Sequence, residues 1–253
     1  MRTLLVRGLL AGLLAAAAAV VVAGLLGEPQ VRAAIALEDA ANRLAGTSSG
    51  PELVSRAVQQ TLGLAVAVGV FGVALGGLFA VAFAVAYGRL GTLGARATAA
   101  LVALAGFGTL TGVPFLKYPP NPPAASDPGT IGYRTVLFVL LLALGVLAAL
   151  AAVLVSRAAA ARLGRWNAAL LGGAVFLTLV TVAYLVLPGV DEVPPGFPVG
   201  IVWRFRLASL AVQATTWAVL GLAFGVLAER VLEPAQHQTT EATGGGAALR
   251  HHT

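Results

Sequence analysis

The 253-residue chain is 58% hydrophobic and only 10% charged, and it contains no cysteine. Soluble domains carry roughly 25% charged residues, so a water-soluble fold is excluded, and the absence of cysteine excludes disulfide frameworks, thiolate metal sites and thiol nucleophiles. A formal charge of +6 would point to nucleic acid in a soluble protein, but here the basic residues stand at the ends of uncharged stretches, so no nucleic-acid partner is expected.

Cutting the chain at its charges leaves six long pieces: Gly8 to Gly27, Ala57 to Gly88, Ala97 to Leu116, Thr135 to Ser156, Trp166 to Val190 and Leu207 to Ala228. Each reaches about 20 residues, which a helix rising about 1.5 Å per residue needs to cross a hydrocarbon core of about 30 Å. The expected fold is an all-α integral membrane protein, a six-span helix bundle over residues 1–231 with spans near 8–27, 61–87, 97–116, 135–156, 166–188 and 207–228. A disordered tail over 232–253, rich in Gly, Thr, Gln and Ala, completes it.

The first span follows a basic start and contains small residues such as Ala23 and Gly24, as a secretory signal would, but its apolar run exceeds the usual 7 to 15 residues. It reads as a retained crossing. The loop after it, Gly27-Glu28-Pro29 through Arg32, Glu38, Asp39 and Arg43, places Val31, Ile35, Leu37 and Leu44 at spacings that predict a short amphipathic surface helix. Pro51 and Glu52 open a second helix longer than the bilayer requires. The connection from Gly88 to Arg96 is short, its glycines turning the chain. The third span leaves through Pro114-Phe115-Leu116-Lys117-Tyr118-Pro119-Pro120-Asn121-Pro122-Pro123, where prolines remove amide donors and fix φ, predicting a stiff, extended, non-helical segment. Asp127 and Arg134 follow. After the plain stretch Arg157 to Arg165 and the fifth span, the proline chemistry returns in Pro188-Gly189-Val190-Asp191-Glu192-Val193-Pro194, and Trp203, Arg204, Phe205 and Arg206 follow as an interfacial anchor.

The N-terminus and the connections 89–96 and 157–165 hold Arg2, Arg7, Arg89, Arg96, Arg157, Arg162 and Arg165 with no acidic residue, whereas the opposite loops balance to neutral. By the positive-inside rule both termini are cytoplasmic and the proline loops face outward. Each odd span exits at a proline motif and each even span re-enters through Arg56, Arg134 or Arg206, which suggests three related hairpins. Four glycine pairs at four-residue spacing, Gly8/Gly12, Gly72/Gly76, Gly108/Gly112 and Gly221/Gly225, predict close helix packing.

No charged residue sits at the centre of a span, so no buried acid serves as a proton relay. Span polar groups such as Thr111, Thr178 and Asn167 suit helix-to-helix hydrogen bonds; Gln59 and Gln213, each following a re-entry arginine, are the exceptions of interest. Glu28, Asp191 and Glu192 at the outer mouth form a candidate divalent-cation cluster, through carboxylate oxygens, with ion pairing to the loop arginines as the competing role. Gln59, Lys117, Asn121, Asp127, Arg134, Arg204, Arg206 and Gln213 are path or gate candidates. His237, His251 and His252 all lie in the tail. With no nucleophile elbow, no phosphate-binding glycine loop and no histidine near a span, no enzyme and no permanently bound cofactor are expected.

The loop from Pro114 to Pro123 with Asp127, Thr130, Ile131, Arg134 and Thr135 resembles the CbtA family, proposed membrane subunits of cobalt transporters. Gly27-Glu28-Pro29, Ser55-Arg56 with Gln59, Glu192-Val193-Pro194, Gly196-Phe197-Pro198 and Trp203, Phe205, Arg206, Ser209 and Gln213 echo the same pattern, so the resemblance runs from Met1 to about Val231. It implies a multi-pass protein of the bacterial cytoplasmic membrane that takes up a divalent metal, cobalt, as cargo, with a small histidine-bearing single-span partner resembling CbtB. The alternative is a non-transporting scaffold that binds a partner through its proline loops.

Overall fold

The computed structural model describes residues 1–46, 63–126, 128–190 and 193–232. Among them there is no strand. The helices are α1 (Arg2–Val22), α2 (Glu28–Ala45), α3 (Leu64–Ala86), α4 (Ala95–Gly106), α5 (Val113–Lys117), α6 (Ile131–Val186) and α7 (Val199–Leu232). π-helical turns at Ala23–Gly27 and Phe107–Gly112 fuse α1 to α2 and α4 to α5. Five helical runs are therefore long and apolar enough to cross a bilayer: Arg2–Leu44, Ala65–Ala86, Ala95–Lys117, Ile131–Val186 and Val199–Leu232.

The π turns have a local cause in the sequence. Pro29 and Pro114 cannot donate to the carbonyls four residues back, those of Leu25 and Leu110, and a proline ring crowds that carbonyl. Widening the helix relieves both problems: the Glu28 amide bonds Ala23 and the Val113 amide bonds Gly108, each five residues back. Either turn closes on a glycine two residues before the proline, Gly27-Glu28-Pro29 and Gly112-Val113-Pro114. A helix after span one thus exists as α2, continuous with α1 rather than set off by a loop.

Much of the buried surface is alanine, and many large apolar side chains are exposed. Ala11, Ala15, Ala16, Ala80, Ala95 and Ala99 are all but inaccessible, whereas Leu13, Leu14, Phe71, Leu78, Leu150, Leu154 and Leu222 stand open. That inversion of a soluble core is what lipid allows, because helices there associate by close packing rather than by escape of apolar surface from water.

The chain divides into two compact units. The first is drawn from Met1–Ala18, Ala65–Leu104 and Thr216–Thr253. In it, Gly8 faces Gly76 and Gly12 faces Gly72 so closely that a Cβ on any of the four would collide with the partner's backbone. Gly221 of α7 lies against Ala103 of α4, whose Cβ an added methyl would strike, and Gly225 packs less tightly against Arg96 and Ala99. Phe224 lies edge-on to Phe79 and Phe83, with centroids 5.2 and 4.9 Å away. Arg7 donates to the Leu227 carbonyl, and Arg96 pairs with Glu229 at 2.5 Å. The chain turns after α3 through Gly88, whose φ of 73° favours glycine. The pair Gly108/Gly112 makes no such packing: nothing lies within 4 Å of a Cβ on Gly108, and both glycines belong to a π turn.

The second unit comprises Ala19–Leu64 and Ala105–Thr215. Its α6 is 56 residues long but loses helical geometry at Gly164, with φ 74° and ψ 162°. The two arms, residues 131–163 and 165–186, fold back on one another: a Cβ on Gly172 would strike Ser156, which lies equally far from Gly164 in the other direction. Farther along, Leu137 and Leu141 of one arm share a buried cluster with Ala183 of the other, with Leu187 just beyond it and with Val113 of α5. No loop separates Arg157 from Gly164; the helix continues through Arg162 and turns at a single residue. Lys117 Nζ donates to the Tyr184 carbonyl at 2.8 Å, Tyr184 Oη to the Val113 carbonyl at 2.5 Å and Tyr118 Oη to the Pro188 carbonyl at 2.7 Å. These three bonds lock the end of α5 to the second arm.

Candidate functional site

A cavity of about 890 Å³ opens within the second unit. Its walls come from α2, from both π turns, from the proline loop after α5, from the start of α6 and from α7. Each helix contributes at helical spacing, so that one face looks inward: Glu28, Val31 and Ile35 on α2; Ile131, Arg134, Thr135 and Phe138 on α6; Arg206, Ser209 and Gln213 on α7. The π turns supply Ala23 and Gly27 on one wall and Leu110 and Thr111 on another. Single π turns commonly mark functional sites because they re-aim side chains without ending the helix.

The proline loop is non-helical from Pro119 to Pro122, as the sequence predicts, whereas Pro114 to Lys117, expected to be extended as well, belong to α5 because the π turn before Pro114 lets the helix run on. Pro122 and Ala125 are fully buried, the Ala125 amide bonds the Pro122 carbonyl at 3.2 Å, and Ala124 takes a positive φ of 62°. Anchored in this way, the loop presents Asn121 to the cavity, where its Oδ1 accepts a 2.8 Å hydrogen bond from Arg206 Nη2. The Arg206 guanidinium also lies 5.9 Å from the Trp203 ring. Glu28 is largely buried at the cavity wall and accepts from Arg32 Nε at 2.9 Å, one helical turn on. Burial, with a smaller contribution from Tyr133, raises the Tyr118 phenol above its ordinary range, and its Oη donates to the Pro188 carbonyl.

Of the residues singled out from sequence, Glu28, Asn121, Arg134, Arg206 and Gln213 converge on this cavity. Lys117 does not line it and is engaged by Tyr184, while Arg204 is exposed elsewhere on the α7 surface. Gln59, Asp127, Asp191 and Glu192 lie outside the described residues, as do the tail histidines. Among the described residues no three His, Cys, Asp or Glu side chains stand close enough to hold a metal ion. Ser209, Thr111 and Thr135 were not picked out as site residues. Ser209 lies between Arg206 and Gln213, at i+3 from Arg206 on one helix face, a pattern that shows only once α7 is known to include Arg206.

Helices of this length and apolarity define a multi-pass membrane protein. The chain belongs to the CbtA family, described as probable cobalt transporter subunits, whose model matches residues 1–229. The resemblance drawn from the proline loops therefore holds across nearly the whole chain. No curated protein and no solved structure matches it. A transporter subunit is not a catalytic class, and the word subunit implies partners beside the lipid bilayer.

Proposed function

We propose that this protein is the membrane component of a cobalt uptake system and that the cavity of the second unit is its outward-facing vestibule. The observation that carries the reading is the convergence of Glu28, Asn121, Ser209 and Gln213, from three separate segments, on one chamber in a chain of the cobalt transporter family. Their oxygens suit a hydrated divalent ion, which exchanges water for carboxylate and carbonyl-type ligands readily. The reversal of α6 at Gly164 supports six crossings rather than five, since each arm alone is long enough to span a bilayer. Six crossings put both termini on one side, and the arginine bias makes that side the cytoplasm of a bacterial cell. In this reading a small CbtB-like partner supplies the imidazole that the spans lack.

Uptake of labelled cobalt into proteoliposomes, with and without a histidine-bearing partner, tests this. The expected result is chain-dependent uptake that falls several-fold in Glu28→Gln. Uptake that never depends on the chain would leave the scaffold role instead.

A further inference from the structure

The 56 residues of α6 carry four arginines and no acidic residue. Three of the four, Arg157, Arg162 and Arg165, stand at the reversal around Gly164; all three are exposed, and among the described residues none of them has a hydrogen-bond or ion-pair partner. Arginines at other span ends are engaged by the protein itself: Arg7 by the Leu227 carbonyl, Arg89 by the Val85 carbonyl at 2.9 Å, and Arg96 by Glu229. Beside the three free guanidiniums the turn exposes Leu163 and Trp166, 47% and 76% accessible. Like charges set this close in the chain with no counter-ion repel one another, and a shared anion relieves that repulsion.

The depth of these groups fits a lipid better than a soluble partner. The uncharged run from Thr135 to Ser156 ends directly before Arg157. Ser156 packs on Gly172 where the two arms meet, so one helical step of about 100° turns Arg157 off that seam. From Arg157 to Gly164 a helix rises about 10 Å, comparable with the headgroup layer of about 5–8 Å that borders the hydrocarbon in each leaflet. With the uncharged run in the hydrocarbon, the guanidiniums fall at the level of the phosphates, and Trp166 falls at the interface, where indoles settle.

We infer that the reversal of α6 is a binding site for anionic phospholipid headgroups, with Arg157, Arg162 and Arg165 donating to phosphate and with Leu163 and Trp166 footed among the acyl chains. A guanidinium suits this because its fork gives one phosphate two parallel hydrogen bonds, while its stem lies along apolar surface. A zwitterionic headgroup carries its own cation beside the phosphate, so the site favours lipids of net negative charge. Neither the cavity nor cobalt enters this site.

Native mass spectrometry of the full chain in detergent, given equal amounts of dioleoylphosphatidylglycerol and dioleoylphosphatidylcholine, tests this. Wild type is expected to retain the anionic lipid in preference, and the triple variant Arg157→Gln, Arg162→Gln, Arg165→Gln to have that preference reduced at least about tenfold, or 1.4 kcal/mol. The triple variant Arg2→Gln, Arg43→Gln, Arg230→Gln removes the same charge from exposed arginines elsewhere and should retain lipid as wild type does. Should the first variant not fold, wild type and Trp166→Phe in vesicles of equal parts of the two lipids decide the matter without touching an arginine. The fluorescence that Trp166 contributes is expected to be quenched more when brominated acyl chains belong to the glycerol lipid than when they belong to the choline lipid. Equal quenching by the two lipids, or the same loss of preference in both triple variants, would overturn the inference. Equal retention of the two lipids by wild type would overturn it too, and would leave the three arginines to an acidic protein partner.

Discussion

Gly76 shows how much a single missing side chain decides. Its α-carbon hydrogens face the Gly8 carbonyl on α1, and a Cβ there would also come within 2.9 Å of the Gly12 α-carbon. Gly69, in the same helix, has nothing within 4 Å. Gly76→Leu is therefore expected to lower the melting temperature of the detergent-solubilised protein by an amount equivalent to about 1–3 kcal/mol, the usual cost of overpacking, while Gly69→Leu leaves it unchanged. Equal effects at the two positions would mean that α1 and α3 do not pack through this seam. At this scale the sequence was informative: four-residue glycine spacing in two apolar spans predicts the contact, and Gly221/Gly225 repeats the success. It misled at Gly108/Gly112, because the same spacing can serve a π turn as well as a helix seam, and spacing alone does not say which.

Among the elements, the π turns were not legible, and the reversal read between the fourth and fifth spans was expected to run through a loop rather than a single residue. Hydropathy marks where apolar character ends, so Pro29 and Pro114 read as exits from the membrane. In the structure a π turn satisfies the amides around each proline, and helix continues beyond it. Gly164 lies between Arg162 and Arg165 in what reads as a plain connection, whereas it is a one-residue turn in an otherwise unbroken helical run. The π turn also predicts a phenotype. Replacing Pro114 restores the missing amide and removes the ring, so the helix can return to ordinary geometry, and deleting one residue's worth of bulge rotates what precedes it by about 100°. Leu110 and Thr111 would then leave the cavity wall. Pro114→Ala is expected to retain its melting temperature and lose most cobalt uptake; unchanged uptake would show that the widened turn has no part in forming the vestibule.

For the whole molecule, arginine bias and uncharged lengths were enough to read a multi-pass helical protein, and the proline loops were enough to read its family. The cavity was half legible. Arg206 and Gln213 were noted for the places where a span begins, while the helix face they share with Ser209 becomes meaningful only once α7 is known to start at Val199, placing Arg206 two turns inside it. Gathering Glu28, Asn121 and Arg134 beside that face needs contacts far apart in the chain, which periodicity cannot encode. Because the chain has no cysteine, Ser209→Cys gives a single thiol inside the chamber. The decisive measurement is the initial rate of labelled cobalt uptake into proteoliposomes holding Ser209→Cys, before and after complete reaction with a bulky maleimide. Transport through this cavity predicts that modification lowers the rate at least about tenfold, or 1.4 kcal/mol in barrier, while complete modification with the rate unchanged would contradict it.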